Sequence, residues 1–183
     1  MQQTIRNSIE FRGIGVHKGE EAVMTLYPAP VDHGITFARN DFDTPVVIDA
    51  SYENVIASEL CTLLCTETKS GETVTISTVE HILSALRGLN VDNVRIELSG
   101  PEIPIMDGSS IEFVKAIQET GVEVQDAVRQ YIRVLKPVRV EGEGGKFATL
   151  QPSKTAHFTF EIDFEAEAIG HQIHEVSLVN GHY

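Results

Sequence analysis

The sequence has no tryptophan, only two cysteines and few basic residues, with 14 lysines and arginines against 27 aspartates and glutamates. The net charge of -13 excludes a broad surface for nucleic acid or anionic membrane, since either partner would be repelled over most of the molecule. A local basic pocket for a phosphorylated small molecule is compatible with that charge. No apolar run approaches transmembrane length, and the opening MQQTIRNSIEF lacks the basic start and continuous apolar stretch of a secretory signal. A cytoplasmic protein without an integral membrane segment is expected. Cys61 and Cys65 are spaced C-x-x-x-C, which matches neither a disulfide framework nor a zinc knuckle, so they are read as free thiols on strands, without chemistry.

What is present is core-forming material. A hydrophobic content of 42% with 22% charged residues belongs to a globular chain, and 183 residues suffice for one ordinary domain or for a small domain plus part of another. The first hundred residues read as short strands, TIRNSIEF, EAVMTLYP, GITFAR and VVIDA, punctuated by Gly13, Gly15, Gly19 and Gly34. ELCTLLCTETKSGETVTIS then reads as a long hairpin turning at Lys69, Ser70 and Gly71.

STVEHILSALRGL carries the clearest helical pattern, with Val79, Ile82, Leu83, Leu86 and Leu89 on one stripe and Gly88 near the stop. Ser77 and Glu80 match a capping box at its start. VDNVRIELS follows as a strand. A second helix is expected from about Ile111 to Thr120, opened by a Ser109 and Glu112 capping box and closed by Gly121. The acidic-polar stretch VEVQDAVRQ is taken as a linker. Beyond it YIRVLKPVRV, KFATLQP, HFTFEIDFEA and HQIHEVSLV all read as strands, with EGEGG as a turn. A sheet presenting Phe158, Phe160, Ile162 and Phe164 on one face must bury that face, and no further helix pattern appears to do so. The expected fold is therefore α+β: a two-layer sandwich of a mainly antiparallel sheet with helices on one face at 1–127, then an incomplete, strand-rich domain of similar type at 128–183.

Glu80 and His81 stand out for chemistry. With Val79 at zero and about 100° per residue, the apolar stripe centres near roughly -20°, Glu80 near +100° and His81 near -160°. The histidine is thus aimed off the core at the positive end of a helix, which suits a cleft binding an anion or hydroxide. Glu80 as a mere cap and His81 as a surface residue is the simpler reading, because one E-H dipeptide is a weak signal. Asp107 in MDGSS fits ordinary turn and capping chemistry. His171 and His174 would face opposite sides of their strand, which excludes them as joint metal ligands.

The order GIGVHKGE, YPAPVDHGI, TVEHILSALRGLNVDN and PEIPIMDGSS resembles the UDP-3-O-acyl-N-acetylglucosamine deacetylase family, and YIRVLKPVRVEGEGGKFATLQP with FTFEIDF resembles the opening of its second domain. The resemblance implies two α+β domains whose helices pack between the sheets, with the active site at their junction. It implies that His81 is the first zinc ligand and that Glu80 is the general base. It also implies that His17 and Lys18 line the substrate cleft, with Leu60 and Cys61 near the pocket mouth on an insertion hairpin and Cys61 given no catalytic role. Zinc suits amide hydrolysis, because it lowers the pKa of a bound water to about 7, and a neighbouring carboxylate can take the proton.

A catalytic zinc takes three protein ligands. The family draws its other His and Asp from an H-K-x-x-D motif deeper in the second domain and a general-acid histidine from later still, none of which occurs before LVNGHY. A family threonine contact near the end aligns with Gly181 and Tyr183, which do not reproduce it. Two readings follow. One is a zinc deacetylase of lipid A synthesis whose site is completed by a missing C-terminal part, as a separate fragment, a cleaved piece or an omission. The other is a non-catalytic relic or binding module that keeps the UDP-sugar surface.

Overall fold

The computed structural model describes residues 1–178, so Gly181 and Tyr183 lie outside the described residues. The chain divides into two compact units, Met1–Arg129 and Gln130–Tyr183.

The first unit runs β1 (Gln3–Ile5), β2 (Ile9–Ile14), β3 (Glu21–Pro28), β4 (Ile35–Arg39), β5 (Val46–Asp49), β6 (Val55–Ile56), β7 (Leu63–Glu67), β8 (Thr73–Ser77), α1 (Glu80–Gly88), β9 (Val94–Leu98), α2 (Ile111–Thr120) and β10 (Val122–Val124). Among the described residues its main sheet is five-stranded, in the order β2-β3-β9-β4-β5, antiparallel except for the β4 and β9 pair. The fold class is α+β, as the sequence pattern predicts.

Strand alternation decides which face is covered. Along β2, β3 and β9 every second residue is buried, Phe11, Met24, Leu26, Ile96 and Leu98 among them, while Glu10, Arg12 and Arg95 face solvent. The pairing register lines Ile9, Leu26, Ile96, Phe37 and Ile48 into one apolar row across all five strands. Against the same face pack Ile82, Ala85 and Leu86 of α1 and Phe113, Val114 and Ile117 of α2, in one contiguous core. Phe113 meets Phe11 edge to face at 5.0 Å, a geometry worth about 0.5–1.5 kcal/mol beyond its area burial.

β6, β7 and β8 form a separate three-stranded sheet, with the turn between β7 and β8 closed at Gly71 in the left-handed region (φ 82°). Buried Arg39 ties this sheet to the main one. Its guanidinium forks onto the Asp41 carboxylate at 2.7 and 2.5 Å and donates to the Thr75 carbonyl of β8 at 2.8 Å. The hydrogen bond from Arg39 holds the Asp41 carboxyl below its ordinary value of 3.8, against the opposing effect of burial.

Several expectations are corrected. TIRNSIEF is two strands broken by a bend at residues 6–8, and only the last three residues of YIRVLKPVRV are strand, the start of Val138–Glu141. Most of the supposed linker VEVQDAVRQ is tied to the first unit. β10 pairs with β1, the Gln125 side chain accepts from Asn93 and donates to the Ala29 carbonyl, and Arg129 pairs with Asp92 at 2.6 Å. Its Gln125 and Arg129 side chains thus anchor it to the first unit.

In the second unit, β11 (Val138–Glu141) pairs with β12 (Phe147–Leu150), and β13 (Ala156–Asp163) pairs with β14 (His171–Leu178), as two antiparallel hairpins. None of its described residues is buried. The face carrying Phe158, Phe160 and Ile162 is open, and the Phe158 and Phe160 rings stack on each other at 6.2 Å.

Replacing Arg39 with Leu should lower the unfolding free energy by about 1–3 kcal/mol in urea denaturation, since it strands Asp41 and the Thr75 carbonyl while Asp41 keeps partial access to water. Because the Asp41 carboxyl is depressed, the wild-type contribution is full above pH 3.8 and fades as pH falls through the lower folded value. The stability gap between wild type and Asp41→Asn should therefore close in acid.

Candidate active site

Three elements converge on the start of α1. Two residues, Thr78 and Val79, separate β8 from α1, and the φ of 65° at Thr78 is left-handed. A β-branched residue there costs roughly 1–3 kcal/mol and persists only when its surroundings hold it. Its amide donates to the Thr62 carbonyl at 3.1 Å, its hydroxyl donates to Glu102 at 3.3 Å, and it is 3% exposed.

Glu80 opens α1, half-buried, and its carboxylate accepts the Thr62 amide at 3.1 Å. The expected Ser77 and Glu80 capping box does not form. Val79 is the N-cap residue without a side-chain cap, and the Ser77 hydroxyl donates instead to the Pro101 carbonyl. Glu80 therefore anchors the loop entering β7, and among the described residues its other carboxylate oxygen has no hydrogen-bond partner. His81 is half-buried, off the stripe formed by Val79, Ile82 and Leu86, which are fully buried. Its backbone carbonyl accepts from the Ser110 hydroxyl ahead of α2 at 3.0 Å, and among the described residues its ring has no hydrogen-bond partner.

His17 and Lys18 sit in the tight turn between β2 and β3, closed by Gly19 (φ 67°) and by the Gly15 amide donating to the Glu20 carbonyl. Their side chains are exposed, while their amides donate to the Glu102 carboxylate at 2.8 and 3.1 Å. Leu60 is 90% exposed with φ 66° in the loop before β7. Beside it Cys61 is a free thiol, and the Ser58 hydroxyl donates to the Cys61 carbonyl. Cys61 therefore lies on this loop rather than on a strand, while Cys65 is in β7. One hydrogen-bonded series thus connects the loop of Leu60 and Cys61, Glu80, Thr78 and the turn of His17 and Lys18.

Thr62, Thr78 and Glu102 were not singled out by the sequence reading. The available signals were a β-branched residue directly before a helix and a glutamate set in the apolar run PEIPIM. Asp107 accepts from the Ser109 amide and hydroxyl, both at 2.9 Å, and the Ser109 amide bond is the chief cause of its lowered carboxyl pKa. Ser109 in turn accepts the Ile111 amide at 3.1 Å, so the second capping box is replaced by an Asp107 and Ser109 turn.

His171 pairs opposite Asp163 and His174 opposite Phe160, which puts the two rings on opposite faces of the hairpin. Among the described residues no group of three or more His, Cys, Asp or Glu side chains is placed to hold a metal ion.

A family model described as LpxC, UDP-3-O-acyl N-acetylglycosamine deacetylase, matches residues 2–183. The chain belongs to this deacetylase family. A relative in Legionella pneumophila (strain Corby), named UDP-3-O-acyl-N-acetylglucosamine deacetylase, is 49% identical over 164 residues, covering 90% of this chain and 52% of the relative. One in Colwellia psychrerythraea, with the same name, is 46% identical over 168 residues, covering 92% of this chain and 53% of its own length. The chain spans about half the length of these deacetylases.

The His171 imidazole pairs with Glu161 at 2.8 Å, and that hydrogen bond raises its pKa above the ordinary 6.5. An NMR titration should give a His171 midpoint above 6.5 that returns toward it in Glu161→Gln. The pair's contribution to the β13 and β14 hairpin should be full below pH 6.5 and lost as pH rises through the raised midpoint.

Proposed function

We propose that this chain supplies part of the active site of a cytoplasmic deacetylase that removes the N-acetyl group from UDP-3-O-acyl-N-acetylglucosamine in lipid A synthesis. The observation that carries this reading is the Glu80 and His81 pair, off the core stripe at the positive end of α1, with Glu80 hydrogen-bonded through Thr62 to the Leu60 and Cys61 loop and Thr78 linked through Glu102 to the His17 and Lys18 turn, in a chain of this family. Residues 1–127 would form the first α+β domain and 128–183 the beginning of the second. Among the described residues no helix is long and apolar enough to cross a membrane.

Glu80 is suited to accept a proton from the attacking water. One carboxylate oxygen is held by the Thr62 amide, which fixes its orientation and leaves the other free. His81 is the one metal donor we assign here, its ring nitrogens unspent on other contacts. His17 and Lys18, exposed on their turn, are placed to meet the substrate, and the Lys18 ammonium can answer the negative charge of a diphosphate. Leu60, with its apolar side chain in solvent, and Cys61 would line the mouth.

Zinc, when bound, supplies the Lewis acidity that makes water a nucleophile at neutral pH. A catalytic zinc takes three protein ligands, and the described residues do not hold one by themselves. Its remaining ligands, and the completed site, are assigned to a C-terminal part of the same enzyme. The same observation favours a second reading, in which the chain acts alone as a non-catalytic binding module that keeps the UDP-sugar surface.

With the C-terminal half of the enzyme present, Glu80→Ala should lower kcat for acetate release by about 100- to 10,000-fold, the range of a positioned general base. Unchanged turnover would remove Glu80 from that role. The 183-residue chain alone, titrated with zinc against a chromophoric chelator, should bind it more weakly than micromolar, because one imidazole does not retain the ion. One tight equivalent on the isolated chain would overturn this division of ligands.

A further inference from the structure

The geometry points to Glu102 as a positioning residue that fixes the His17 and Lys18 turn against the entry to α1. Glu102 is almost wholly buried, at 3% exposure, and among the described residues no Lys, Arg or His side chain forms an ion pair with it. Three neutral donors satisfy it: the His17 amide at 2.8 Å, the Lys18 amide at 3.1 Å and the Thr78 hydroxyl at 3.3 Å. A buried charge is costly unless its hydrogen bonds are complete, and bonds to a charged acceptor are among the strong ones.

The donors come from two places far apart in sequence, the turn between β2 and β3 and the strained residue before Glu80 and His81. The segment bearing Glu102 is itself clamped from both sides. The Ser77 amide donates to Pro101, the Ile103 amide to Ser77 at the end of β8, and the Ile105 amide to Ile14 at the end of β2. At Gly15 a Cβ would fall inside the Glu102 carboxylate, so the turn has room for that group only because glycine stands there. The carboxylate acts through its neighbours: it holds the left-handed Thr78 that aims Glu80 and His81, and the turn that presents His17 and Lys18. Calling that turn substrate-facing rests on the proposed function; the coupling itself does not.

Two variants of the whole chain test it. Glu102→Gln removes the charge and one acceptor, and Gly15→Ala displaces the carboxylate while keeping both of its oxygens. In both, amide exchange followed by NMR should quicken about tenfold or more at His17 and Lys18, whose amides lose a charge-assisted hydrogen bond, and also at Thr78, whose amide bond to the Thr62 carbonyl loosens when its hydroxyl loses Glu102, with core amides such as Phe37 and Ile96 unchanged. Equal acceleration in the core, no change at the turn, a change confined to one of the two arms, or failure of both variants to fold would leave Glu102 without a positioning role and overturn the inference. UDP-N-acetylglucosamine serves as the probe of the site. In the wild-type chain it should shift the His17 and Lys18 amides, and its Kd should rise about tenfold in Glu102→Gln. Binding that survives Glu102→Gln unchanged while exchange at the turn quickens removes the turn from the substrate cleft and leaves the positioning role standing. If the probe shifts no amide in the wild type but the selective exchange appears in both variants, the positioning role stands and the substrate-cleft reading falls.

Discussion

The organisation of the first unit depends on the need to cover one face of a twisted five-stranded sheet. The apolar row from Ile9 through Ile96 to Ile48 leaves α1 little choice of rotation. Val79, Ile82 and Leu86 must turn inward, and the two residues between the first pair, Glu80 and His81, are then carried toward the rim of the helix. The burial of Val79, Ile82 and Leu86 sets where the polar pair falls. The exact orientation of Glu80 and His81 is finished by hydrogen bonds from neighbouring loops.

The parts of this arrangement that depend on local period were legible in the sequence. α1 and α2, the alternation of β2, β3 and β9, and the off-stripe position of His81 follow from residue spacing alone. The capping boxes were misread because a motif within four residues competes with partners that only the fold brings near. Glu80 meets Thr62, eighteen positions earlier, and the Ser77 hydroxyl meets Pro101. Glu102 was hidden for the same reason: its donors lie 85, 84 and 24 residues away, and nothing in PEIPIM signals which backbone amides it will meet. VEVQDAVRQ reads as a linker by composition, which does not signal that Gln125 will meet buried Asn93 or that Arg129 will pair with Asp92.

The second unit shows the limit of strand pattern as a guide. Its four strands form where alternation predicts, apart from the stretch before Val138, yet secondary structure there comes without burial. Two-stranded hairpins are at best marginal on their own in water. Here the Phe158 and Phe160 rings pack only partly, against each other. Local pattern suffices to write a strand but not to supply the second layer that makes it part of a core, a distinction the first unit conceals because there both are present.

The way the candidate site is held also separates positioning from chemistry. His17 and Lys18 give Glu102 only their backbone amides, His81 gives Ser110 only its carbonyl, and Glu80 spends one oxygen on Thr62. The side chains that could meet a ligand are thus nearly free of structural duty. The residues bearing that duty, Thr78 and Glu102, are buried where a ligand would not reach them. Such a division tolerates exchange of the outer side chains with little loss of geometry, but it makes the geometry sensitive to a single buried carboxylate. The left-handed backbone of Thr78 is the element under tension in it. Without the Glu102 acceptor on one side and the Thr62 carbonyl on the other, relaxation of that one residue would rotate the first turn of α1, and the directions of Glu80 and His81 with it.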